Sequence, residues 1–336
     1  MKIIKLLLIG RGCYILAVTI RSVGLALIWE NISALSWKLL PLLVIYPVIF
    51  AFDTLGWSYA FPKGPPKNVT FLDLYFIRII GETLNAVIPF SASLGGEPIK
   101  AEILKRRHGL PLSQSYASIL IVHTTFWVSL NLFVIGGILV TLKTLPLPPV
   151  LWTSVLIFLA TLGLIALLLI IGLHLGIFKK VHALGEQWKW WGASSRDKSE
   201  HYLQLDKDIQ KFYTANPRRF FLSVFFNFLG WLAGTLEVYY VAQLLGMKIG
   251  LTEAWLLEAL IQVLRIVTFF IPSSVGAQEG GILLIFSQFG FANPVSLTFA
   301  VIRRLREVLW IGLGLMLWSL MGDRPRVSAA TSTSRR

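Results

Sequence analysis

The chain has 336 residues, of which 55% are hydrophobic and 14% charged, and its formal net charge is +14. A mean hydropathy of +0.70 excludes a soluble globular domain and indicates an all-α polytopic membrane protein. The basic residues cluster in the connections between apolar segments, as they do in cytoplasmic loops, so the charge does not indicate nucleic-acid binding. The single cysteine, Cys13, excludes an intrachain disulfide and disfavours a thiolate metal site.

Six apolar segments are long enough to cross a bilayer, which takes about 20 residues. In chain order they are residues 8–29, 38–61, 112–142, 149–176, 219–245 and 294–320. The first contains Arg11 and Arg21, and no small-x-small cleavage site follows it, so we interpret it as a retained span rather than a signal peptide. Basic residues near both termini and in the connection 177–218 place these parts in the cytoplasm.

Two broken segments lie between these spans. The first reads RIIGETLNAVIPFSASLGGEP from Arg78, and the second reads RIVTFFIPSSVGAQEG from Arg265. Pro89 and Pro272 interrupt helices at membrane depth, where free backbone groups are tolerated only beside protein or a polar cavity. The flanking charges predict that the first segment is a re-entrant hairpin entering from the cytoplasm and the second one entering from outside. The alternative is that each broken segment is one ordinary kinked span.

This pattern predicts two inverted repeats, each with about three transmembrane helices and one Pro/Gly-broken hairpin. The first repeat covers residues 1–143, and the second covers 144–322 with a cytoplasmic loop at 177–218. Residues 323–336 are expected to form a disordered cytoplasmic tail. Apolar residues at helical spacing in the loop predict a short amphipathic helix on the membrane surface: Leu203, Ile209 and Phe212.

Polar side chains in the two hairpins share helix faces. The spacing is i, i+4 and i+7 in each case: Arg78, Glu82 and Asn85 in the first half, and Glu258, Gln262 and Arg265 in the second. Such stripes face protein or water rather than lipid tails, so they indicate a polar site. For Arg78 and Glu82 the alternative is an internally neutralised pair that only packs one helix on another.

Serines and glycines follow each break, where hydroxyls and backbone N–H groups can point into a cavity and bind an anion. They are Ser91, Ser93, Gly95 and Gly96 in the first half, and Ser273, Ser274 and Gly276 in the second. Glu97 and Glu279 stand at the start of the return arms. They either cap those helices, or they pair with an arginine or bind a proton or cation that is coupled to movement.

The last apolar segment places Arg303, Arg304 and Arg306 near the bilayer midplane, because a helix rises 1.5 Å per residue. Three guanidinium groups are costly there, and one neighbouring glutamate cannot neutralise them, so a lipid phosphate is the expected counter-ion. The alternative is that the arginines reach the cytoplasmic surface or pair with Glu258 and Glu279 as structural contacts.

These motifs resemble a known family. The pattern I-P-x-S-x-x-x-G-G-E-x-x-K, the later P-S-S-x-G-x-Q-E-G and the Arg-Arg-x-Arg-Glu span are similar to the membrane region of lysylphosphatidylglycerol synthases, the flippase-like domain of the multiple peptide resistance factors. The resemblance covers about Lys5 to Leu320, and its later part is most similar to the stand-alone subgroup linked with hopanoid biosynthesis. The family's motif positions are Pro89, Gly95, Gly96, Glu97, Pro272, Gly276, Gln278, Glu279, Arg303, Arg304 and Arg306.

The resemblance implies a bacterial inner-membrane protein that binds or moves a lipid and needs no cofactor. His123 corresponds to Arg303 in the first half, where many relatives carry arginine, and we interpret it as a core histidine rather than a ligand or a proton relay. Only a short tail follows Leu320, so we do not expect tRNA-dependent lipid aminoacylation.

The sequence therefore predicts a lipid transporter that binds a polar or anionic headgroup in a midplane cavity and moves it between leaflets. The candidate lipid-binding residues are Arg78, Glu82, Asn85, Ser91, Ser93, Gly95, Gly96, Glu97, Arg265, Ser273, Ser274, Gly276, Gln278, Glu279, Arg303, Arg304 and Arg306. The main alternative is a non-transporting scaffold or accessory protein of hopanoid or glycolipid biosynthesis, with a lipid-synthesis enzyme as partner. An enzyme is disfavoured, because the sequence has no D-x-D, D-G-x-x-A-R or His-rich pattern.

Overall fold

The computed structural model describes only part of the chain, and within that part the chain is helical, without strands. The described residues are Tyr14, 36–88, 95–141, 149–175, 199–268 and 277–321. Apart from Tyr14, the predicted span 8–29 lies outside them, as do both proline breaks and the tail 323–336.

Ten α-helices form the described part of the chain, after a 3-10 turn over Ser36–Leu39. In chain order they are α1 (Leu40–Ala60), α2 (Phe71–Val87), α3 (Glu97–His108), α4 (Leu112–Thr141), α5 (Pro149–His174), α6 (Ser199–Ala215), α7 (Pro217–Leu244), α8 (Leu251–Val267), α9 (Ala277–Gln288) and α10 (Asn293–Met321). The five predicted spans from residue 38 onward correspond to α1, α4, α5, α7 and α10, with ends within about two residues of the prediction.

Three of the described helical segments are long and apolar enough to cross a bilayer by length and composition. They are Trp37–Ala60, Leu112–Val140 and Pro217–Leu244. An all-α polytopic membrane fold is therefore confirmed.

Each broken segment forms two helices, as its sequence predicts. Helices α2 and α3 have 17 and 12 residues, and α8 and α9 repeat these lengths. Helix α8 begins at Leu251, 180 residues after Phe71, and α9 begins at Ala277, 180 residues after Glu97. The two halves thus have the same order of helices, α1 to α4 and α7 to α10.

Equivalent carboxylates begin the two hairpins. Asp73 accepts a hydrogen bond from the backbone N–H of Thr70, which precedes α2. Glu253, 180 residues further on, accepts one from the backbone N–H of Gly250, which precedes α8. A carboxylate at the third helical position satisfies a free donor of the first turn, so the same local device starts both helices.

Helices α1 and α7 are the equivalent helices of the two halves, and they pack against each other in antiparallel orientation. Asp53 lies against Gly230, and Gly56 lies against Asn227. Further along, the ring of Tyr59 stacks on Phe226, with centroids 5.4 Å apart. Residue numbers rise along one helix as they fall along the other, which is the relation that an inverted repeat requires. The inverted repeat itself stays a prediction.

Each hairpin packs on the last helix of the other half. Thr83 of α2 donates a hydrogen bond to the backbone carbonyl of Trp310 in α10, over 3.5 Å. In the corresponding contact, the Trp255 indole of α8 donates to the carbonyl of Phe133 in α4, over 2.9 Å. Glycines allow the close approach in both places, because added Cβ atoms at Gly314 and Gly136 would overlap the facing side chain.

The predicted amphipathic helix is present as α6, but its apolar face is covered by protein. Ile209 and Phe212 are fully buried in a cluster with residues of α1 to α4, whereas Leu203 is 36% exposed. The Tyr213 hydroxyl lies 2.5 Å from the Thr124 hydroxyl of α4. The prediction that this apolar face lies on the membrane surface is therefore wrong, because Ile209 and Phe212 pack inside the bundle.

We expect Gly96→Ala to destabilise the first hairpin. A Cβ atom at Gly96 would lie 2.1 Å from the carbonyl oxygen of Gly81, so α2 and α3 would have to separate. Overpacking of this kind costs about 1–3 kcal/mol. The expected result is a lower midpoint of thermal unfolding, followed by tryptophan fluorescence of the full-length protein in detergent.

Gly312→Ala is the matched control, because a Cβ atom there would meet nothing within 4 Å. Alanine is favoured over glycine inside a helix by about 1 kcal/mol, so the control should unfold at the wild-type temperature or above it. Equal unfolding temperatures for Gly96→Ala and the wild-type protein would contradict the close packing of α2 and α3.

Candidate functional site

Helix α1 presents one polar and aromatic face to the interior of the bundle. The face consists of Tyr46, Phe50, Asp53 and Trp57, spaced i, i+4, i+7 and i+11. At one end, the guanidinium carbon of Arg306 lies 4.1 Å from the centroid of the Tyr46 ring. At the other end, Lys100 Nζ lies 5.6 Å from the centroid of a Trp57 ring. One face, about 16 Å long, therefore contacts charged residues of both halves.

Arg78 is buried beside two carboxylates of the first half. Its Nη2 lies 3.0 Å from Asp53 Oδ2 of α1 and 3.7 Å from Glu82 Oε1 of α2. Lys100 Nζ lies 3.9 Å from the same Glu82 oxygen. The predicted pair of Arg78 and Glu82 is present, but the shorter ion pair joins α2 to α1. Glu82 has the most exposed side chain of this group, at 37%.

Glu97 contacts three polar side chains at the start of α3. Its Oε1 lies 2.7 Å from Lys100 Nζ, 3.2 Å from His123 Nε2 of α4 and 3.4 Å from Asn85 Nδ2 of α2. Asn85 also accepts a hydrogen bond of 2.7 Å from the backbone N–H of Gly96. The other oxygen, Oε2, is buried and has no hydrogen-bond partner among the described residues. Glu97 therefore joins three helices in addition to beginning α3.

In the second half, Arg303 of α10 pairs with Glu258 of α8. Its Nη1 lies 2.6 Å from Glu258 Oε2, and the Gln262 amide donates to the other oxygen of the same carboxylate. All three side chains are buried. The predicted stripe on α8 thus supplies the counter-ion of one of the three arginines.

The other two arginines pair with two further helices. Arg304 lies 2.6 Å from Glu279 of α9 and 2.6 Å from Glu307, one turn further along α10. Arg306 pairs with Glu237 of α7. Helix α10 is therefore tied by ion pairs to α7, α8 and α9.

This arrangement corrects the expectation that a lipid phosphate must neutralise the arginines. Carboxylates of the protein pair with all three, and two of them, Glu258 and Glu279, are those of the structural alternative. The third is Glu237, a lone carboxylate inside an apolar span. The expectation was wrong because it counted acidic residues on α10 alone, whereas the counter-ions come from three neighbouring helices.

Arg265 differs from the buried arginines. It is only partly buried, and it forms no ion pair with the residues that the structure describes. It lies within electrostatic reach of Tyr46, as does Arg306. Arg265 in the second half and Glu82 in the first are thus the more accessible charged groups of the two stripes.

The sequence-predicted site residues divide into two groups. The structure brings together Arg78, Glu82, Asn85, Gly96 and Glu97 in one half, and Glu279 with Arg304 in the other. Arg303 and Arg306 lie on the same helix as Arg304 and pair with Glu258 and Glu237. Arg265 forms no ion pair with the described residues. Gln278 is buried at the start of α9. Gly95 is the chain neighbour of Gly96, whose backbone N–H donates to Asn85. Ser91, Ser93, Ser273, Ser274 and Gly276 lie outside the described residues. A lipid-binding role for any of them stays a prediction.

These contacts include eight residues that were not among the candidate lipid-binding residues: Tyr46, Asp53, Lys100, His123, Glu237, Glu258, Gln262 and Glu307. Of these, Glu258 and Gln262 belong to the predicted stripe on α8. Asp53 and Glu237 each carried a signal in the sequence, because each is a lone carboxylate in an apolar span and needs a buried counter-ion. Lys100 begins a basic stretch with Lys105, Arg106 and Arg107 that is typical of a cytoplasmic connection, but it is 1% exposed. No feature of the sequence indicated that Tyr46 would contact an arginine. In the described ranges no group of three His, Cys, Asp or Glu side chains is arranged to hold a metal ion.

Comparison with known proteins identifies one family. The family model described as the lysylphosphatidylglycerol synthase TM region matches residues 2–314 of the chain. No curated protein matches the chain significantly. No solved structure matches it significantly either.

We expect Arg306→Gln to destabilise the protein by about 3–5 kcal/mol, because Glu237, 2% exposed, would remain buried without its counter-ion. The double variant Glu237→Gln, Arg306→Gln buries no net charge and should lose less stability than the single variant. The midpoint of thermal unfolding in detergent measures both effects.

Arg265→Gln is the control for removing an arginine, because this residue has no described counter-ion and should unfold near the wild-type temperature. If Arg306→Gln unfolded at the same temperature as Arg265→Gln, the buried pair of Arg306 and Glu237 would be contradicted.

Proposed function

We propose, since the chain belongs to the family of lysylphosphatidylglycerol synthase transmembrane regions, that it binds the polar headgroup of a membrane lipid between its two hairpins and moves the lipid between leaflets. The headgroup occupies the polar space beside α1, and the acyl chains remain in the bilayer. The family match supports a membrane protein that handles lipids.

The two buried ion-pair networks carry this proposal. Ionised side chains inside a membrane are costly, and they are retained mainly at substrate or ion pathways. Each network includes one hairpin and the last helix of its own half, through Glu97 with His123 and through Glu279 with Arg304. A protein that only needed packing would form the same contacts from apolar and small residues at lower cost.

Arg265 and Glu82 are proposed as direct contacts of the headgroup. Each lies on a hairpin helix, is partly exposed and has no cation or anion closer than 3.7 Å among the described residues. A phosphate would pair with the Arg265 guanidinium, which binds phosphate oxygens in bidentate geometry. Glu82 would attract an ammonium or hydroxyl group of the same headgroup.

Rocking of the two halves about this site would expose the headgroup to each leaflet in turn. The proposal that the halves are inverted repeats is supported by their equal hairpin lengths, their offset of 180 residues and the antiparallel packing of α1 on α7. The bacterial inner membrane as location, the cytoplasmic termini and the link with hopanoids stay predictions from the sequence.

Lipid movement in liposomes tests the proposal. Full-length protein is reconstituted with a fluorescent phosphatidylglycerol or phosphatidylethanolamine, and dithionite then quenches the label that reaches the outer leaflet. We expect the wild-type protein to expose inner-leaflet label of at least one of these lipids. Arg265→Gln should slow this movement about tenfold, which corresponds to about 1.4 kcal/mol of lost interaction.

Arg106→Gln is the matched control, because Arg106 is an exposed residue of α3 whose ion pair with Glu102 lies on the helix surface. It should move lipid at the wild-type rate. Wild-type protein that is folded but moves neither lipid would refute transport and favour the scaffold alternative. Formation of a modified lipid by the purified protein would indicate an enzyme instead.

A further inference from the structure

The charges of the first network do not balance without a proton. Among the described residues it contains three carboxylates, Asp53, Glu82 and Glu97, and two fixed cations, Arg78 and Lys100. One negative charge is therefore in excess inside a membrane protein, where uncompensated charge is costly. Either a carboxylate binds a proton or a third cation is present, and among the described residues the remaining ionisable side chain in contact with the network is His123.

The cations of the second network are all permanent. Its described ion pairs join four carboxylates, Glu237, Glu258, Glu279 and Glu307, to three arginines, Arg303, Arg304 and Arg306. Arginine keeps its proton in proteins, so the positive charge of this network is fixed. The two halves thus repeat the same helices with different charge behaviour.

One pair of equivalent positions has a titratable side chain in the first half and a permanent cation in the second. Arg303 stands 180 residues after His123, and both belong to the last helix of their half. Where the second half has a permanent cation, the first half has an imidazole, the side chain whose charge changes between about pH 5 and 8. His123 Nε2 lies 3.2 Å from Glu97 Oε1, an ion-pair distance without good hydrogen-bond alignment.

The two members of this contact differ in burial. The His123 side chain is 25% exposed, whereas that of Glu97 is 6% exposed and has one oxygen without a described hydrogen-bond partner. The imidazole is thus the more accessible member of the pair, and a proton on it would place a positive charge beside the Glu97 carboxylate.

Among the described residues, the helices packed around α4 carry the following polar side chains. Helix α1 contributes Asp53, which is paired with Arg78, and α6 contributes Tyr213, whose hydroxyl contacts Thr124. Burial raises the pKa of Tyr213 to about 12, so this phenol stays neutral. Helix α7 presents uncharged Ser223 and Asn227 to Thr125, and α8 presents the Trp255 indole to Phe133.

We infer that His123, paired with Glu97, is a proton-binding site that couples lipid movement to a proton gradient; this rests on the proposed function. With His123 charged, Glu97 has two cations and Lys100 is free to neutralise Glu82. With His123 neutral, Lys100 has to serve both Glu97 and Glu82, which lie 2.7 and 3.9 Å from its Nζ. Binding of one proton thus changes the charge available to a headgroup at Glu82, which is the condition for coupling between two sites.

A pH gradient across the liposome membrane tests the coupling. Wild-type protein should move lipid about tenfold faster with one side acidic than at symmetric pH, a size typical of coupled sites. His123→Gln keeps an N–H donor but stays neutral, and His123→Arg copies the permanent charge of the second half. Both variants should move lipid at the same rate with and without the gradient.

His108→Gln is the matched control, because His108 is another buried histidine near a carboxylate, with Nε2 3.8 Å from Asp73 Oδ1. It should keep the wild-type response to the gradient. Lipid movement that ignores the gradient in the wild-type protein, or a full response in His123→Gln, would overturn the inference while leaving the proposed transport intact.

A second measurement does not depend on lipid movement. The chain has five histidines, and the NMR signal of 15N-labelled His123 in detergent is identified by its loss in His123→Gln. We expect this signal to respond to pH, and the response to differ in Glu97→Gln, because the carboxylate lies 3.2 Å from the imidazole. A signal that does not respond to pH, or a response that is unchanged in Glu97→Gln, would refute the proton site. A titrating, Glu97-dependent signal in a protein that moves no lipid would refute transport alone.

Discussion

Local neutralisation of buried charge is the constraint on which this structure depends. An ionised group in a membrane protein needs a counter-ion within contact distance, because hydrocarbon does not screen it as water does. The chain meets this need within helices, as in Arg304 with Glu307, and to a greater extent between them. Arg78 joins α2 to α1, and the arginines of α10 join that helix to α7, α8 and α9. The ion pairs therefore also define which helices are neighbours.

The same constraint limits how the helices can move. A pair such as Arg303 with Glu258 cannot open inside the membrane without leaving two bare charges, so the helices that carry it must move together. Lys100 and Arg304 are different, because each contacts two carboxylates on its own or the adjacent helix. These cations can shift from one partner to the other without losing compensation. Both lie beside a hairpin, which is where a proposed transporter has to change shape.

The sequence predicted the helices well and the contacts between them poorly. Apolar runs and proline breaks are local signals, and they gave the described spans and both pairs of hairpin helices to within a few residues. The ion pair of Arg306 could not be predicted in this way, because Glu237 lies 69 positions away in the chain and only tertiary packing brings the two side chains together. Lys100 illustrates the same difficulty. Its neighbours in sequence are basic and cytoplasmic in character, yet its stem crosses Gly81 and its ammonium is buried.

Repetition explains why two halves with the same helices carry different chemistry. The helix order, hairpin lengths and initial carboxylates recur at an offset of 180 residues, because these features determine packing and each half has to pack in the same way. The side chains of the ion-pair networks do not have to be the same in the two halves. Position 78 is arginine where position 258 is glutamate, and position 123 is histidine where position 303 is arginine. Under the proposed proton coupling, two halves with the same order of helices have different roles, because the second keeps permanent cations where the first has a histidine.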